Sequence, residues 1–168
     1  MHFPLFKFGP LRLWFAPRTL GRLSAALALG AALMLLSRRH FLLFHLLAEV
    51  FSVVIAFGIA MFALGSRRFQ ENAYCRWIGS GFFFVAVLDL LHAFLYSGMD
   101  LFPVSSANPA TQMWIAARFL QALVLLAAPW MAFGPRRWPF PEAVWFGLAL
   151  FLTASIYAGF FPACYVEG

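Results

Sequence analysis

Five apolar stretches, each close to the length that crosses a bilayer, alternate along this chain with short clusters of arginine and proline. They occupy positions 20–36, 41–64, 77–96, 112–133 and 143–161. A spanning helix needs roughly 20 apolar residues, so each stretch can be one span. Backbone polar groups in lipid must be satisfied within the segment, and no strand-like alternation recurs, so the spans are expected to be helices. The predicted fold class is therefore all-α, a polytopic transmembrane helix bundle of about five spans.

Composition agrees. Of 168 residues, 64% are hydrophobic and 11% are charged. An ordinary soluble domain has about 45–50% and about 25%. A soluble core of this size cannot bury that much apolar side chain. A soluble enzyme, a disordered tail and a disulfide-rich secreted domain are excluded. Two cysteines make neither a disulfide framework nor a four-ligand zinc site. The net charge of +6 reads as membrane topology rather than as a nucleic-acid surface, because the basic residues cluster between apolar stretches.

Those clusters set an expected orientation. Residues 1–19 form a basic lead-in. With the N-terminus cytosolic, the inside segments carry Lys7, Arg12, Arg18, Arg22, Arg67, Arg68, Arg76, Arg136 and Arg137, and the outside segments only Arg38 and Arg39. This bias predicts five spans with the N-terminus cytosolic and the C-terminus outside. The first stretch reads as a span rather than a cleaved leader. Its basic region is long, no small-residue cleavage site follows, and another span comes directly after it. Trp77, Trp114, Trp130, Trp138, Tyr96 and Tyr165 fall where an interfacial aromatic belt is expected. Pro129 is expected to kink the fourth helix.

Ionisable residues inside spans are costly and mark function by default. The second span holds His45 and Glu49, four apart on one face. The third holds Asp89, His92 and Tyr96, which share a face, and the fourth holds Trp114, Arg118 and Gln121, which do the same. At 1.5 Å per residue, Glu49 and Asp89 both lie about 12 Å from the outer ends of their spans, His45 about 6 Å, His92 about 8 Å and Arg118 about 9 Å. Three helices thus place polar residues in one layer of the outer half. Arg118 can pair with Glu49, with Asp89 or with both, since a guanidinium fork suits carboxylates. The layer is either a buried polar network that fixes packing or a pocket for a ligand, cofactor or proton.

Two histidines on neighbouring helices also match what a membrane haem b needs, with His45 and His92 as axial ligands. His45, His92, Glu49 and Asp89 are chemically competent for a metal. No phosphate loop, nucleophile elbow or zinc-protease motif is present, and no catalytic residue is assigned.

These residues carry a resemblance. The runs 44–52 and 66–69, with Leu88-Asp89-Leu90-Leu91-His92 through Met99, Thr111-Gln112-Met113-Trp114 through Phe119, and the closing 161–168, resemble the third type of membrane-associated sensor (MASE) domain across residues 20–168. The resemblance implies an N-terminal membrane input of a bacterial signalling protein, ahead of PAS, histidine kinase or diguanylate cyclase (GGDEF) modules. It implies a homodimer in the complete protein. The matching positions are His45, Glu49, Asp89, His92, Tyr96, Trp114 and Arg118. Such domains continue into a further span and a cytosolic effector. The chain is therefore expected to be truncated at its C-terminus, with its effector missing. The alternatives are a bis-histidine haem protein for redox or gas sensing, and a small transporter subunit, which would want polar residues at several depths.

Overall fold

The computed structural model describes residues 17–65, 73–99, 101–102, 106–133 and 140–165. The basic residues expected at 1–16, the arginine pairs Arg67–Arg68 and Arg136–Arg137, Trp138 and the end at 166–168 lie outside them. The described residues form α1 (Pro17–Arg39), α2 (Phe41–Gly65), α3 (Ala73–Leu95), a 3-10 turn (Ser97–Met99), α4 (Asn108–Phe133) and α5 (Pro141–Tyr157), and no strand. The first four helices are long and apolar enough to cross a membrane. The 17 residues of α5 sit at the short end of the spanning range of about 17–25.

The chain divides into two units, Met1–His45 and Leu46–Gly168, with α2 running from the first into the second. In the first unit, the expected outer loop at 37–40 is reduced to His40. Its N–H donates to the Leu36 carbonyl at 2.8 Å, and its carbonyl accepts from Phe44 N–H at 3.0 Å. Ser37, Arg38 and Arg39 belong to α1, where the Ser37 hydroxyl donates to the Met34 carbonyl at 2.9 Å. Arginine is a good helix former and serine satisfies its hydroxyl in the preceding turn, so charge alone does not end a helix.

The second unit holds the core. From Leu46 on, α2 buries Val53, Ala56, Ala60 and Ala63, a stripe at helical spacing. Its Phe57 ring meets Phe83 of α3 edge-on, with centroids 5.6 Å apart. The packed centre is α3 with α4 and α5, built on Val85, Leu88, Met113, Leu120, Val124 and Trp145. Gly81 lets α3 and α4 approach closely, since a Cβ there would meet Val124 Cγ1 at 2.8 Å.

Trp77 departs from the belt expectation. It is buried, its indole N–H donates to the Val124 carbonyl at 3.1 Å, and its ring packs edge-on against Trp145 at 4.5 Å. A tryptophan that can satisfy its N–H on a neighbouring helix belongs in the core. Trp114 and Trp130 do face outward. Arg76 at the start of α3 donates to both carboxylate oxygens of Glu142 at the start of α5, at 3.2 and 3.1 Å. Pro129 removes one N–H from the ladder of α4 without ending it, and the helix runs on to Phe133.

The fifth helix stops short of the expected 161. Gly159 takes φ +74°, its N–H donates to Ile156 and that of Phe160 to Ser155. This is a Schellman closure, which needs a left-handed residue just past the helix and favours glycine there. Pro162 follows and prevents any continuation.

Candidate functional site

The polar side chains of α2, α3 and α4 in the second unit meet near the end where α3 finishes and α4 begins. Asp89 and His92 lie one turn apart on α3, both buried. Arg118 of α4 donates through Nη2 to Asp89 Oδ2. The open choice of partner for Arg118 thus resolves to Asp89. The other Asp89 oxygen, Oδ1, and the Arg118 Nε–H are buried and find no hydrogen-bond partner among the described residues.

His92 is held from two sides. Its Nδ1 lies 2.7 Å from the Ala110 carbonyl of α4, and its Nε2 lies 3.6 Å from Glu49 Oε1 of α2. The first contact fixes the ring with Nδ1–H as donor. The second is an ion-pair distance, effective when the imidazole is protonated. With Nδ1 engaged, only Nε2 of His92 is open to a metal, and Glu49 Oε1 beside it would be a second ligand to the same ion. His45 lies one turn before Glu49 in α2 and stacks on Phe41 at 5.8 Å.

A cavity of about 250 Å³ opens beside the Asp89–Arg118 pair. Its polar wall is Ser52, Asp89, Arg118 and Gln121. Its apolar wall includes Phe51, Ile55, Phe82 and Val85. Phe51 and Ile55 are also exposed on the outside of the helices, at 67% and 48%. The cavity therefore borders the surface that faces lipid.

Of the polar residues predicted from sequence, Asp89, Arg118 and Gln121 line this cavity, and His45, Glu49, His92, Trp114 and Tyr96 do not. Trp114 is 44% exposed on α4. Tyr96 follows the last residue of α3, half-buried, and its carbonyl accepts from Met99 N–H at 2.9 Å to close the 3-10 turn. Residues not singled out from sequence also take part. Ser52 lines the cavity three residues after Glu49, a spacing that could have marked it. Gln112, buried in the first turns of α4, donates to the carbonyls of Phe161 and Pro162 at 3.1 and 2.9 Å. Asn108 Oδ1 accepts from the N–H groups of Cys164 and Tyr165 at 2.9 and 3.0 Å. These bonds tie the chain beyond α5 to the head of α4.

An all-helical bundle with four membrane-length apolar helices and a buried charge layer defines a membrane protein. Residues 36–168 match the family of membrane-associated sensor domains, MASE3, and the chain belongs to that family. The match begins near the end of α1 rather than at residue 20. No curated protein and no solved structure matches the chain.

Proposed function

We propose that this chain is the transmembrane sensory input of a bacterial signal-transduction protein of the histidine kinase or diguanylate cyclase type, working at the inner membrane with its N-terminus in the cytosol. The membership in a sensor-domain family supports the input role. The observation that carries the reading is the pairing of charges across helices. Glu49 faces His92, and Arg118 holds Asp89, so α2, α3 and α4 are joined through groups that a stimulus can recharge or displace. In a medium of low dielectric, gaining or losing one charge in such a layer is worth kilocalories. That is enough to shift a packing equilibrium between two helix arrangements. The bundle then acts as the bistable element, and the effector, on this or another chain, reads its state in a homodimer. The stimulus reaches the layer from the outer half of the membrane. Catalysis belongs to the effector.

The test is made in the source cells. Chromosomal Glu49→Gln, which removes one charge of the layer at little cost in stability, and a deletion of the whole reading frame are compared with wild type for cyclic di-GMP level and for response-regulator phosphorylation. The expected result is a changed output in both strains, with the Glu49 variant present in the membrane at wild-type amount. Unchanged output in both would overturn the reading.

A further inference from the structure

The cavity between α2, α3 and α4 has the walls of a ligand site, and its chemistry limits what it can take. Asp89 and Arg118 carry opposite charges and already neutralise each other. An anionic guest would have to lie against the Asp89 carboxylate. A cationic guest would lie against the Arg118 guanidinium. In a poorly screened layer either is opposed. A neutral guest meets no such opposition. The pair also leaves bonding capacity unused, an acceptor at Asp89 Oδ1 and a donor at Arg118 Nε. Buried polar atoms are nearly always satisfied, so the pair is under-satisfied; both atoms are closed to water, and a guest in the cavity reaches them only with a small shift of the two side chains. Ser52 and Gln121 add a hydroxyl and an amide to the same wall.

Size and access narrow the guest further. At about 250 Å³ the cavity is below the ~300 Å³ at which pockets begin to enclose a drug-sized molecule. It suits a small head group. Phe51 and Ile55 form its rim and also face outward, so a tail leaving the cavity enters lipid rather than water.

We infer that this cavity binds the neutral head of a membrane-partitioned small molecule that carries a hydroxyl donor beside a carbonyl or hydroxyl acceptor. The hydroxyl donates to Asp89, and the acceptor takes a hydrogen bond from Arg118 or Gln121. This rests on the sensory reading above and names the chemistry of its stimulus. Aliphatic hydroxyketones and alkyl-substituted hydroquinones both present this head.

Binding is measured on the whole chain in lipid nanodiscs, by intrinsic tryptophan fluorescence and by thermal unfolding. The probes share a ten-carbon tail: an α-hydroxyketone, its methyl ether, a hydroquinone, a carboxylate and an amine. The expected result is that the hydroxyketone or the hydroquinone binds at least about tenfold more tightly than the methyl ether, the worth of one buried hydrogen bond to a charged group. Which of the two binds identifies the aliphatic or the aromatic source. Ser52→Leu fills the cavity without touching the ion pair and should remove that binding. Gln121→Leu serves if the first variant does not fold. Tighter binding of the carboxylate or the amine would overturn the assigned chemistry and leave the sensory reading standing. Equal binding of the hydroxyketone and its methyl ether, or binding indifferent to both substitutions, would mean simple partition into lipid and would also overturn it. No binding by any probe, together with wild-type signalling output from Ser52→Leu cells, would remove the site as a sensor altogether.

Discussion

Arg118 of α4 reaches Asp89 of α3 through a direct hydrogen bond, and Asp89 is 1% exposed. A pair at this depth is costly to desolvate and costlier to break. Removing one partner strands the other charge, at about 3–5 kcal/mol, whereas replacing both with apolar groups can be close to neutral. Arg118→Leu strands the buried Asp89 and is expected to destabilise the bundle by about 3 kcal/mol or more, Asp89→Leu by less because Arg118 is one-third exposed, and the double variant by less than Arg118→Leu. Unfolding in mixed micelles measures the cycle. Additive costs would mean that the two residues act independently.

His92 and Glu49 are not equal partners. His92 is buried and bonded to the Ala110 carbonyl at 2.7 Å, while its contact with Glu49 is longer, at 3.6 Å. His92→Ala loses the bond to α4 and leaves a gap, at about 2 kcal/mol. Glu49→Gln keeps the volume and the His92–Ala110 bond, and should cost about 0.5 kcal/mol, near the mean for polar contacts between membrane helices. The same unfolding measurement ranks them. A larger loss from Glu49→Gln would make the α2–α3 contact the dominant one.

The fold was legible because lipid leaves helices few alternatives, so apolar length locates spans closely. The start of α2 falls at position 41, as its apolar stretch does. The end of α5 was not legible in this way, because hydropathy continues through Phe160 and Phe161 while the backbone turns at Gly159. In the candidate site, depth along each helix singled out His45, Glu49, Asp89, His92 and Arg118, and contacts between helices join Glu49 to His92 and Arg118 to Asp89. Which acid takes Arg118 depends on helix rotation, and spacing along one helix carries no information about its rotation against another. Trp114 shares a helical face with Arg118 in sequence, yet it is 44% exposed while Arg118 turns to Asp89. Gln112 and Asn108 escaped notice because their partners are backbone atoms some fifty positions away.

Close approach of α3 and α4 depends on Gly81. A methyl group there collides with Val124, whose β-branched side chain has little rotameric freedom in a helix. Gly81→Ala is expected to cost about 1–3 kcal/mol through overpacking, despite the better helix propensity of alanine. Adding Val124→Ala should recover part of that loss, because the clash disappears with the branched side chain. Thermal unfolding of the two single variants and the double variant checks this. No recovery in the double variant would place the cost elsewhere than at this crossing.

Beyond α5, Phe161 packs against the core, and the backbone at Cys164 and Tyr165 is held by a side chain of α4. Asn108 Oδ1 accepts both Cys164 N–H and Tyr165 N–H, and no other described contact secures these two amides. Hydrogen bonds between membrane segments average about 0.6 kcal/mol and reach about 1.7 kcal/mol at most. Losing two of them should therefore raise local opening by roughly tenfold, since about 1.4 kcal/mol corresponds to one factor of ten. Asn108→Ala is expected to speed hydrogen exchange at Cys164 and Tyr165 by that factor while leaving the α3 amides near Leu88 unchanged. Gln112→Leu acts on the carbonyls of Phe161 and Pro162 instead, so its effect on those two amides should be smaller. Equal protection in wild type and Asn108→Ala would mean that Gln112 alone secures the segment, and the double variant would then be the one to release it.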